Sequence, residues 1–150
     1  MGTPASFPLP DTGACQAHPT PTKDATVNIT LWIIAALLAL VFLAAGAMKL
    51  TQPKDKLAAS GQGWVENVST GAIKAIGTAE ILGALGLILP ALLNIAPALV
   101  PAAATGLFLL MIGAAITHAR RKETPNIIVN TLLGILAVTV AITRFGPYPF

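Results

Sequence analysis

The chain has 150 residues, of which 55% are hydrophobic, 10% charged and 5% aromatic, with a mean hydropathy of +0.76. An ordinary soluble domain carries about 25% charged residues, so this composition cannot cover a polar surface and excludes a disordered chain, a basic nucleic-acid binder and a disulfide scaffold. The net charge of +3 rests on only nine Lys and Arg, whose positions speak of membrane orientation rather than of an acidic partner.

Residues 1–28 are rich in proline and contain no apolar run. A cleavable leader needs a charged start and an apolar stretch of about 7–15 residues. The segment is therefore expected to be a retained, poorly ordered tail and the remainder, 29–150, one transmembrane domain. The single cysteine, Cys15, lies in this tail, so the chain alone can form neither a disulfide nor a C-x-x-C redox pair. Three short matches occur nearby: Met1-Gly2 with Ser6, a myristoylation pattern; Leu9-Pro10-Asp11-Thr12-Gly13, a sortase-type signal far from the end where such signals act; and the sequon Asn28-Ile29-Thr30. All three are frequent by chance.

A helix needs about 20 apolar residues to cross a bilayer core about 30 Å thick. No charge occurs from Ala25 to Met48, and the first span is placed at 29–50, ended by Pro53. Residues 51–70 read as a polar connection, with Trp64 and Val65 at the membrane interface that Trp favours. No charged residue or His occurs from Ile81 to Thr117, which is too long for one span. Pro90, Asn94, Pro97 and Pro101 punctuate it, and clustered prolines mark a turn. Two spans, 71–93 and 97–118, are expected around a tight hairpin. The basic run before Glu123 and Pro125 closes the third span, because proline disfavours helical geometry in the residue before it. The fourth covers 126–143. The fold predicted is all-α, a transmembrane four-helix bundle. A β-barrel would alternate apolar and polar residues, and these runs are uniformly apolar.

Four spans place both termini on one side. Lys49, Lys54, Lys56 and Lys74, with Arg120, Arg121 and Lys122, mark the opposite side, against Lys23 and Arg144 only. The positive-inside rule puts the basic loops in the cytoplasm and both termini outside the plasma membrane.

Glu80 lies roughly 13 Å along the second span at 1.5 Å per residue. An intramembrane carboxylate is costly and normally faces the bundle interior with a partner. It is a candidate proton acceptor or anchor for a polar ligand head, or else an interhelical hydrogen bond that fixes packing. Lys49 ends the first span, His118 ends the third, and Asn126 and Asn130 share one face of the fourth, so each helix brings a polar group to the same end. Lys74 does not share a face with Glu80. Helix ends are also where polar side chains snorkel. One Cys and two distant His, His18 and His118, give no support for a metal or haem site. Gly77, Gly83 and Gly86 are packing candidates; Ala75, Ala79 and Gly83 form a small-xxx-small row, and Gly46 and Gly113 are placed to serve likewise. No nucleotide loop, zincin motif or nucleophile elbow is present.

The first-span ending AAGAMKL, the run Ile76–Pro90 (IGTAEILGALGLILP), the hairpin and the ending GAAITHARRKE resemble the DoxX-like family of small bacterial four-helix membrane proteins over about residues 30–145. Its most specific parts are the Lys49 region, Glu80 within Gly77-x-x-Glu80-x-x-Gly83, and His118. The resemblance implies a four-helix transmembrane bundle and a link with redox physiology, since the family name comes from a subunit of an archaeal thiosulfate:quinone oxidoreductase and relatives are associated with oxidative-stress complexes. It carries over no catalytic residue, and the missing cysteine pair weakens direct thiol chemistry. The leading expectation is an accessory subunit that binds partner proteins through the basic loops and a quinone near Glu80. A small proton-coupled transporter and a structural protein that oligomerises through its glycines are the alternatives.

Overall fold

The structure is a computed structural model and describes residues 22–149. Four long helices dominate: α1 Thr22–Thr51, α3 Thr70–Leu92, α4 Leu99–Arg120 and α5 Thr124–Phe145, with a short α2, Lys54–Ala59, and a 3-10 turn, Gly63–Asn67, between the first two. All four are long and apolar enough to cross a membrane. Cys15, His18, Met1-Gly2 and the Leu9–Gly13 match lie outside the described residues.

The helices pack in a ring, α1 on α3, α3 on α4, α4 on α5, and α5 back on α1, where contact is sparsest. On α1 the buried residues Leu31, Ala35, Leu38, Phe42, Gly46 and Lys49 recur at three- and four-residue steps, and on α3 Ile73, Gly77, Glu80, Ala84 and Leu87 do the same. That spacing is the inner stripe of a bundle helix. The outer faces carry exposed Leu, Ile, Val and Phe, among them Ile33, Leu40, Leu82, Leu109 and Ile135, as lipid contact requires. Because lipid is as apolar as these side chains, helix association rests on close packing rather than on water exclusion.

α1 starts before Ile29, at Thr22, so residues 22–28, assigned to the tail from sequence, extend the first helix. Nothing between Pro21 and Pro53 breaks a helix, Asp24 sits favourably in the first turn, and a formed helix propagates at little cost.

Both tight connections are Schellman caps. At the hairpin, Ile95 N–H donates to Pro90 C=O and Asn94 N–H to Ala91 C=O, with Asn94 at φ 53°. At the end of α4, Glu123 N–H donates to His118 C=O and Lys122 N–H to Ala119 C=O, with Lys122 at φ 59°. The left-handed position usually takes Gly or Asn; here the second cap uses Lys.

The connection 51–70 is a folded cap rather than an open loop. Val65, expected at the membrane interface, is fully buried with Leu57 and Ile73, and Trp64 packs half-buried against them. Burying side chains of this size contributes about 1.5–3 kcal/mol each, enough to hold the cap on the bundle end. Ser69 caps α3, accepting from Ala72 N–H at 3.2 Å.

Candidate functional site

The α1–α3 crossing is set by two glycines. A Cβ on Gly46 would lie 2.6 Å from the Gly77 carbonyl oxygen, and one on Gly77 would lie 2.9 Å from the Gly46 oxygen and from Lys49 Cβ. Three residues beyond each glycine, on the inner stripe, stand Lys49 and Glu80. The close approach brings them together: Lys49 Nζ donates to Glu80 Oε1 at 2.9 Å and to Oε2 at 2.8 Å. The pair is buried within the bundle, with 8% and 4% of the two residues exposed. Lys49 Nζ has no other partner among the described residues, so the ammonium keeps N–H capacity beyond what the carboxylate takes up.

Gly83 and Gly86 make the corresponding approach to α4, where added Cβ atoms would meet Leu107 Cδ2 at 2.5 Å and Ala103 Cβ at 2.8 Å. The expected row does not act as a unit, because Ala75 and Ala79 are exposed on the outer face. Nothing lies within 4 Å of a Cβ added to Gly113, which lines the cavity instead.

A cavity of about 580 Å³ reaches the ion pair. Lys49, Glu80, His118, Asn126 and Asn130 all line it, so the structure brings together every polar candidate named from the sequence except Lys74, which is exposed. Apolar walls come from Phe42, Met111 and Leu133, and Val41 and Val129 flank the sparse α1–α5 seam. Gly61, Gln62 and Trp64 of the cap complete the lining. Gln62 Nε2 contacts Met48 Sδ at 3.3 Å, fastening the cap to α1.

Sequence reasoning missed Glu123. At the rim its carboxylate accepts from three donors: Arg121 Nε at 2.7 Å, His118 Nδ1 at 2.6 Å and Asn126 Nδ2 at 3.3 Å. The hydrogen bonds from Arg121 and His118 hold its pKa down to about 2. The Schellman cap folds the chain back so that residues 118 and 123 meet, and Gly63 of the cap leaves the room that the Arg121 guanidinium occupies. Asn130 Nδ2 donates to the Asn126 carbonyl at 2.8 Å, one turn along α5. Among the described residues, no group of three His, Cys, Asp or Glu is placed to hold a metal ion.

Such a site offers donors, one charged pair and an oriented imidazole in an apolar chamber. It suits a molecule with a polar head and an apolar body. A sequence model of the DoxX-like family matches residues 33–140, and the chain belongs to that family. No curated protein and no solved structure matches it.

Proposed function

We propose that this multi-pass member of the DoxX-like family is an accessory subunit of a membrane redox system, whose polar chamber holds the head of a lipid-soluble quinone. The observation that carries the reading is the buried Lys49–Glu80 pair on the wall of a chamber of about 580 Å³, within the ~300–1,000 Å³ usual for small-molecule sites. An ion pair buried without further use is weak support for stability, and the uncommitted Lys49 N–H is suited to a carbonyl oxygen. The sparse α1–α5 seam, flanked by exposed Val41 and Val129, gives an apolar tail a route to the lipid. The basic loops around Lys54, Lys56 and Arg120–Lys122 would lie in the cytoplasm and meet partner proteins or a second copy, with both termini outside the plasma membrane.

Mass spectrometry of gently purified protein tests this, scoring co-purified quinones, lipids and proteins together. A quinone bound to wild type and lost from Glu80→Gln is expected. The neutral pair Lys49→Gln/Glu80→Gln, which leaves no buried charge unpaired, must lose it too. No small molecule in any of the three, with unchanged protein partners, would make the pair a packing device and the chain a membrane scaffold.

A further inference from the structure

The rim network constrains what the chamber selects. An ionised carboxylate only accepts hydrogen bonds, so the 2.6 Å contact between Glu123 Oε2 and His118 Nδ1 requires a proton on Nδ1. A neutral imidazole has one proton, and the other nitrogen then carries a lone pair. His118 Nε2 has no partner among the described residues, where no buried polar side-chain atom lacks one, so this nitrogen is open rather than sealed off; His118 lines the chamber. Lys49, whose ammonium keeps an uncommitted N–H, lines the same chamber.

We propose that Glu123 is a positioning residue that fixes the His118 tautomer, so that Nε2 accepts a hydrogen bond from the ligand and the chamber selects a head that carries a hydroxyl donor, as a hydroquinone does, over the oxidised quinone. The proposal rests on the chamber being a quinone site. A quinone carbonyl facing Nε2 would set acceptor against acceptor and leave both unpaired.

Glu123→Gln tests it by chemistry rather than by size. Arg121 Nε donates to Oε1 at 2.7 Å, so an amide oxygen takes that position and the NH2 falls on the Oε2 side, facing Nδ1, while Asn126, whose Nδ2 meets Oε2 at 3.3 Å in wild type, turns its own amide oxygen to the new donor. The amide then donates, Nδ1 becomes the acceptor, and the ring proton moves to Nε2.

The first readout is nitrogen NMR of histidine-labelled full-length protein in mild detergent, across the pH range in which the ring is neutral, with His18→Gln identifying the other ring. Wild type is expected to show a protonated Nδ1 and a lone pair on Nε2, with the reverse in Glu123→Gln. A protonated Nε2 in the neutral wild-type ring overturns the proposal without reference to any variant's folding. The second readout is anaerobic binding of a decyl-tailed benzohydroquinone and the matching benzoquinone. Wild type should favour the hydroquinone by about tenfold, the value of one hydrogen bond, and Glu123→Gln should lose or invert the ratio. Equal binding of both probes to wild type overturns the selection alone. Binding of neither overturns the quinone reading of the chamber and the selection with it.

Discussion

Two carboxylates, one lining the chamber and one at its rim, are held in opposite ways. Glu80 lies inside the bundle and has one partner, the ammonium of Lys49. Glu123 stands at the rim, a quarter of its side chain open, and has three donors around it. Inside the membrane a charge needs a counter-charge, because no water replaces a lost partner. At the rim water shares the load, and the hydrogen bonds set direction more than energy. The inner pair is therefore tied to whether the bundle holds, and the outer carboxylate to how one ring is turned.

Breaking the inner pair should give the largest effect. Removing one member of a buried pair typically costs about 3–5 kcal/mol, because the survivor is left uncompensated. Glu80→Leu and Lys49→Met are each expected to lower thermal stability in mild detergent by that order. The double variant should recover most of the loss, since two apolar side chains replace two mutually dependent charges. A double variant no more stable than the worse single would mean that the pair is not a unit.

The glycine crossing sharpens the same contrast. Gly46→Ala and Gly77→Ala each drive a methyl against a backbone carbonyl oxygen, at 2.6 and 2.9 Å, and backbone cannot rotate away. Overpacking of this kind costs about 1–3 kcal/mol. Gly113→Ala meets nothing within 4 Å, and its melting temperature should stay level or rise slightly, as alanine favours helix. Equal losses at all three positions would remove the crossing as the cause.

The inner region was legible in sequence, as were the rim residues His118 and Asn126, but the carboxylate that joins them was not. Gaps in charge delimit the spans, and one polar residue per helix, Lys49, Glu80, His118 and Asn126, falls at the same end of each. The shared spacing Gly46-x-x-Lys49 and Gly77-x-x-Glu80 already holds the crossing, once the buried stripe shows which face turns inward. The row Ala75–Ala79–Gly83 misleads because small residues also occur on a lipid-facing surface, and nothing but burial separates the two. Glu123 was invisible as a partner of His118 because the cap that joins them has Lys122, not glycine, at its left-handed position. Without that signal the stretch reads as a basic loop. The cap over the chamber was hidden for a related reason: Leu57, Val65 and Ile73 come from three short segments, and none is periodic by itself.

The rim should answer to pH where the inner pair answers to substitution. The Glu123 pKa is lowered from 4.5 to about 2, first by Arg121 and then by His118. A carboxylate whose folded value lies below its unfolded one contributes stability that is present above the unfolded value and lost as pH falls through the folded one. Between about pH 4.5 and 2, wild type should therefore lose melting temperature more steeply than Glu123→Gln, which has no such proton to take up. The two should run parallel above pH 5. Parallel curves throughout would show that the network contributes nothing to stability, although it could still orient the ring.

The smallest effect distinguishes the two Schellman caps. Lys122 at φ 59° and Asn94 at φ 53° occupy the same left-handed position, which costs an ordinary side chain roughly 1–2 kcal/mol but is tolerated by Asn. Glycine removes that strain and adds back part of it as chain entropy. Lys122→Gly is expected to stabilise by about 0.5 kcal/mol, and Asn94→Gly by less, read as a rise in melting temperature. The cap's backbone hydrogen bonds, not the Lys122 side chain, hold residues 118 and 123 together. Lys122→Gly should therefore leave the His118 tautomer unchanged, and a change of tautomer would mean that the lysine charge, rather than the fold of the cap, helps set the rim.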